Sequence, residues 1–176
     1  MARRPKDIGT DAERGVARWL QAHGWPNAER RALRGNQDAG DITGTPGICW
    51  SVKGGATAKR AGDATVARWL AELDTQRENA RADLGVLVMQ RTGYSPARAG
   101  QWWAVTRLWV ITYLQLVADR DERGMPGYTG GAHLYAVAAT DPATPWMLAP
   151  ARMHLADLAQ LLRAAGYGTP LDEETH

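Results

Sequence analysis

Between Thr10 and Gly24 the apolar residues Val16, Trp19 and Leu20 recur at helical spacing, with polar residues between them. The pattern predicts a helix that begins near Asp11, capped by Thr10, with Glu13 three positions on as in a capping box and Gly24 as its stop. AERRALRG then reads as a marginal strand or arm, and GNQDAG as a turn. Two short apolar passages follow, DITG and GICWSVK, joined through Thr45-Pro46-Gly47. The proline-glycine turn predicts that they are neighbouring strands of one hairpin.

The second helical pattern is stronger. Asp63 to about Ala80 places Val66, Leu70, Leu73 and Trp69 on one side. It leads into GVLVMQR, a continuous apolar run of the kind expected for a strand covered on both faces, and after TGYSPARAG into QWWAV, its expected neighbour. RLWVITYLQLVADRDERG predicts a helix from about Leu108 to Ala118, although its Val, Ile and Thr compete with that state. HLYAVAAT reads as an added strand with WMLAP as its closing partner, and MHLADLAQLLRAAGYG as a final helix stopped at Gly166 or Gly168. Helices flanking strands that need cover on each face predict a single α/β domain with a mixed central sheet.

Length agrees, since 176 residues suffice for one domain with a real core. One cysteine, Cys49, rules out an internal disulfide and a Cys-rich zinc site, and the four histidines show no paired spacing. GxGxxG, GxxxxGK[ST] and GxSxG are all missing, which argues against dinucleotide, P-loop and serine-hydrolase chemistry. The N-terminus has no apolar leader and no run of 18 apolar residues occurs, so a cytoplasmic location is expected. The formal charge of +2 hides an asymmetry: residues 1–60 carry eleven Lys/Arg against six Asp/Glu, and residues 121–176 three against seven. A basic front third suits contact with a polyanion.

The chemistry-bearing residues fall on the proposed hairpin. Ser51 and Lys53 share one face of the second strand and Val52 takes the other, while Asp41 opens the first strand, so Asp41, Ser51 and Lys53 converge at the hairpin edge. Asp41 and the carbonyl of Val52 offer oxygen ligands to a hard cation, Mg²⁺ or Mn²⁺. Lys53 is placed to orient an attacking hydroxide or stabilise charge on a phosphodiester. This is the chemistry of an endonuclease.

The succession of a helix with Glu13, GDI with Asp41, the strand WSVKGG ending in Lys53, another helix and an apolar strand resembles the PD-(D/E)XK nuclease superfamily. Within it, the pattern is most similar to small phage and archaeal-type Holliday junction resolvases. The likeness spans residues 7–106 and leaves 107–176 as an extension of unassigned role. It implies a restriction-endonuclease-like fold and a metal-dependent endonuclease selective for branched DNA or four-way junctions. It further implies a homodimer that presents one site to each of two strands. Its implied roles are Asp41 as bridging metal ligand, Lys53 as catalytic lysine, Glu13 as helper to the metal or its water, and Gln76 as a polar neighbour in the cleft.

Ser51 departs from the family, which normally has an acid there. Three readings stay open: Ser51 acts through water, an acid reaches in from the next helix (Glu72 or Glu78), or catalysis is lost and the fold only binds DNA. A restriction or repair-type nuclease acting on duplex is the nearest enzymatic rival. For the DNA surface the expected cations are Arg30, Arg31, Arg34, Lys59, Arg60 and Arg91, with Gly54 and Gly55 admitting a close phosphate backbone. Among the eight tryptophans, Trp19, Trp50 and Trp69 are expected to pack rather than stack on bases, and Trp102 and Trp103 to face opposite sides of their strand.

Overall fold

A computed structural model describes residues 5–32, 38–118, 135–136 and 145–169. The first helix, α1, runs Pro5–Gln21, six residues earlier than the Thr10 cap predicts. Pro5 explains the difference, because a proline is tolerated in the first turn, where its missing N–H needs no partner. Thr10 and Glu13 therefore lie within the helix, and Glu13 is not a capping-box acid. The buried stripe Ala12, Val16 and Leu20 faces the core.

Two short strands, β1 (Glu29–Arg30) and β2 (Ile42–Thr43), pair antiparallel in a small sheet of their own. The predicted hairpin between DITG and GICWSVK is thus replaced: β2 takes β1 as its ladder partner. Its link to β3 (Ile48–Lys53) is made just before it, where the Asp41 N–H donates to the Trp50 carbonyl at 2.7 Å. The intervening turn is held by Ile48 N–H to the Thr45 carbonyl and by the Trp50 indole N–H to the Thr45 hydroxyl, each at 3.1 Å.

After β3 come a short helix α2 (Gly55–Lys59) and α3 (Asp63–Ala80). The chain continues through β4 (Leu84–Met89), a 3-10 segment (Pro96–Gln101), β5 (Trp103–Arg107) and α4 (Leu108–Ala118). It closes with β6 (Tyr135–Ala136), β7 (Pro150–His154) and α5 (Leu155–Ala164). The main sheet has the order β3-β4-β5-β7-β6, with β3 and β4 parallel and the other pairs antiparallel. The partner of Tyr135–Ala136 is Ala151–Arg152, not WMLAP, whose Trp146–Leu148 form a 3-10 turn. The remainder of HLYAVAAT lies outside the described residues.

Strand alternation sorts the core into two layers. Trp50, Val52, Val86, Val88 and Ala104 pack with α1, α4 and α5, while Cys49, Leu87, Met89 and Val105 pack with Val66, Trp69, Leu70 and Leu73 of α3. Every residue of β4 is buried, as a strand covered on both faces requires. Trp102 and Trp103 do face opposite layers. Because β7 and α5 belong to the same sheet and core as residues 7–106, the C-terminal part completes the domain rather than sitting beside it. No described helix is long and apolar enough to cross a membrane.

Candidate functional site

The edge strand β3 offers its outer N–H and C=O groups to the loop that precedes β2. Gly47 and Lys53 turn their carbonyls toward β4, bonding Leu84 N–H at 3.0 Å and Gln90 N–H at 2.9 Å. By alternation, Trp50 and Val52 turn theirs to the outer edge. There Asp41 repeats the role of a paired strand with both backbone and side chain: its N–H binds Trp50, and its Oδ2 accepts the Val52 N–H at 2.6 Å. The loop comes this close because Gly40 adopts a φ of +87°, and a Cβ there would lie 2.8 Å from both the Cys49 sulfur and the Trp50 carbonyl oxygen.

The Asp41 carboxyl sits on the outer edge of β3, against the Val52 N–H. Burial pushes its pKa up to about 6 from the ordinary 3.8, against the lowering effect of the Val52 hydrogen bond. The charges of Glu13 and Asp38 raise it further, and Lys53 lowers it. Glu13 comes from the α1 side and is ion-paired with Arg30 of β1. Asp38 is anchored from the other side, where the Gln76 amide donates to its Oδ2 at 2.7 Å and Asn79 to its backbone carbonyl at 2.8 Å. The oxygen of the same amide, Gln76 Oε1, is buried with no hydrogen-bond donor among the described residues.

Lys53 leaves the end of β3 on the α3 face. Its ammonium lies 3.8 Å from Glu72 Oε2 and 5.8 Å from the centre of the Trp69 ring. Of the two acids considered as a substitute for Ser51, Glu72 therefore lies at the lysine, whereas Glu78 is directed to Arg77 and largely exposed. Ser51 is buried on the same face.

The structure thus brings Glu13, Asp41, Val52, Lys53 and Gln76 to one strand edge and adds Asp38. That residue was missed, although an aspartate three positions before Asp41 in the turn DAGD marks a second carboxylate that a sharp glycine turn can fold back. The expected cations divide. Arg30 is ion-paired with Glu13, Arg31 is exposed beside the loop with its N–H on the Asp41 carbonyl, and Arg60 is exposed. Lys59 and Arg91 line a separate cavity, and Arg34 lies outside the described residues. Gly54 and Gly55 serve α1: a Cβ on Gly54 would meet Ala12 at 2.5 Å, and one on Gly55 would meet Ile8 at 3.0 Å.

Among the described residues no group of three or more His, Cys, Asp or Glu side chains is close enough to hold a metal. The oxygen donors along the edge are instead two carboxylates, Asp41 and Asp38, and the Val52 carbonyl, with Gln76 Oε1 buried behind Asp38. A set of this kind suits Mg²⁺, which is held by one or two carboxylates and keeps several waters. Compared with known protein families, curated proteins and solved structures, the chain matches none.

Proposed function

We propose that this protein is a metal-dependent endodeoxyribonuclease with a restriction-endonuclease-like fold, acting as a homodimer on branched DNA in the manner of a Holliday junction resolvase. The observation that carries the reading is the placement of Asp41 and Lys53 along the same edge of β3, close enough for the lysine's charge to act on the carboxyl. A half-buried carboxyl at the edge of β3, kept hard to ionise, lies within electrostatic reach of a lysine at the end of that strand. A carboxylate burdened in this way gains when a cation arrives.

Asp41 and Asp38 would hold the ion, assisted by the Val52 carbonyl and Gln76 Oε1. When bound, Mg²⁺ or Mn²⁺ lowers the pKa of a coordinated water and polarises the phosphoryl oxygens. Lys53, oriented by Glu72 and the Trp69 ring, donates to the charge that develops on the phosphate. Water oxygen bonds to phosphorus as the P–O3′ bond breaks, and the 3′ oxygen takes up a proton. The products are a 5′-phosphate and a 3′-hydroxyl. Glu13, neutralised by Arg30, shapes the potential at Asp41.

The position of Glu72 at Lys53 favours the version in which an acid on α3 serves where Ser51 has none. A second reading, a DNA-binding protein without cleavage, is favoured by the buried Ser51 and the small acid set. A panel of four-way junctions, flaps and linear duplex incubated with Mg²⁺ or Mn²⁺ decides among these. Cleavage of junctions is expected. Preference for duplex would replace the resolvase reading by a restriction or repair nuclease, and absence of both cleavage and calorimetric metal binding with DNA present would favour the second reading.

A further inference from the structure

The row of the sheet that ends in Lys53 continues across three more strands. Lys53 pairs with Met89, Met89 with Trp103, and Trp103 with His154, so all four side chains emerge on the α3 face at the same end of the sheet. Two strand spacings separate Lys53 from Trp103, about 10 Å. At Trp103 the cover of α3 ends and a cavity of about 250 Å³ opens, walled by Lys59, Gln90, Arg91, Trp103 and Arg152.

The cations in it are held by rings rather than by acids. The Arg91 guanidinium lies 4.8 Å from the Tyr94 ring centre and 4.6 Å from that of Trp103, and its Nη1 donates to His154 Nε2 at 2.8 Å. A guanidinium can only donate, so Nε2 is the acceptor in the Arg91 contact, and Nδ1 faces Asp157 at 3.6 Å. Arg152 reaches the Trp103 ring at 5.7 Å, and its buried Nε has no acceptor among the described residues. Lys59 is exposed at the rim. No carboxylate is among the described residues lining this cavity.

Three like charges around one small cavity repel each other, and a buried guanidinium N–H without an acceptor carries the full cost of its desolvation. Both costs are relieved by one kind of guest, a compact anion with several acceptor oxygens. A guanidinium clamped between rings has already lost its rotamer freedom, so little more is lost when it binds. We propose that this cavity is a phosphate subsite for the DNA strand whose scissile phosphodiester lies at Lys53. The inference rests on the nuclease reading for the strand's placement, and on the cavity alone for its affinity for phosphate. An internal phosphodiester and a 5′-terminal phosphate offer the same chemistry.

The test is binding of the full chain, in EDTA, to fluorescent four-way junctions whose arms end in either 5′-phosphate or 5′-hydroxyl. Arg152→Gln and Lys59→Gln should each weaken binding roughly tenfold and reduce the salt slope by about one. Because Lys59 is exposed, its replacement leaves folding intact, and Arg152→Lys should restore part of the affinity. Equal losses on both junctions assign an internal diester, and losses confined to the phosphorylated one assign a terminal phosphate. Affinities within twofold of the parent on both junctions would overturn the subsite. If Asp41→Asn and Lys53→Ala abolish cleavage while Arg152→Gln binds normally, the subsite alone fails. If Arg152→Gln loses affinity but no metal supports cleavage by the parent protein, the nuclease reading alone fails.

Discussion

The two ends of the row from Lys53 to His154 treat charge in opposite ways. At the β3 edge, acids gather and are answered within the protein: Glu13 by Arg30, Asp38 by Gln76, Asp41 by the Val52 N–H. Around Trp103, cations gather and are answered by aromatic faces and the His154 ring nitrogen. Internal pairing settles the first cluster only in part, since Asp41 remains hard to ionise, and it leaves the net positive charge of the second intact. Under the proposed function a metal ion would be held at one end and a phosphate at the other, and a DNA strand with its cation would bring both. A larger hollow of about 530 Å³ between α1 and Pro96-Ala97 lies on the opposite layer and takes no part in this contrast.

The sharpest way to break the comparison is to remove chemistry from the acidic end alone. Lys53→Ala or Asp41→Asn should lower metal-dependent cleavage by about 10³-fold or more, with junction binding in EDTA little changed. Retained turnover in both variants would remove the β3 edge from the mechanism.

Next in size is a stability effect of opposite sign. The folded state holds the Asp41 proton more tightly than the unfolded chain, so this contribution is fully present below pH 3.8 and lost as pH rises through about 6. At neutral pH and above, the ionised form costs the metal-free fold about 3 kcal/mol, about half of it incurred between pH 5 and 8. Asp41→Asn keeps an acceptor for the Val52 N–H and removes the charge. It should therefore be more stable than the parent at pH 8, with the gain shrinking toward pH 5 in urea titrations. An unchanged midpoint at pH 8 would show that the carboxylate is already relieved without metal.

Smaller effects sharpen the roles of α3. Glu72→Gln should reduce cleavage about tenfold or more, as expected for an outer partner of a metal site, whereas Glu78→Gln should stay within about twofold. The reverse order, read from single-turnover rates, would move the substitute acid to Glu78. Gln76→Ala should cost about 1 kcal/mol in thermal unfolding by releasing the anchor on Asp38. It should also raise the Mg²⁺ concentration for half-maximal cleavage a few-fold, and a change in stability alone would make Gln76 purely structural.

Much of the frame was readable from periodicity. The helix Asp63–Ala80, the doubly covered strand of GVLVMQR and the helix Leu108–Ala118 are local patterns whose burial demand is written in consecutive residues. The start of α1 was misplaced because Thr10 and Glu13 form a capping pattern that the proline five residues earlier outweighs. The β2–β3 hairpin was misread for a related reason. The Pro-Gly turn is real, but β2 is two residues long, and its backbone groups are taken by β1.

Asp41 and Lys53 were legible because eleven positions of strand-and-turn text keep them together, whatever partner β2 chooses. Asp38 with Gln76, and Glu72 with Lys53, became neighbours only when α3 crossed the edge of β3. Arg152 joined Arg91 across the Trp103 ring only because β7 inserts beside β5, more than forty residues after it in the chain. By itself the sequence determined which segments must bury a face, since that requirement acts between residues three or four apart in a helix and two apart in a strand. Tertiary structure decided which charges meet, because sheet order and helix crossing set those distances, and neither is encoded in the spacing of nearby residues.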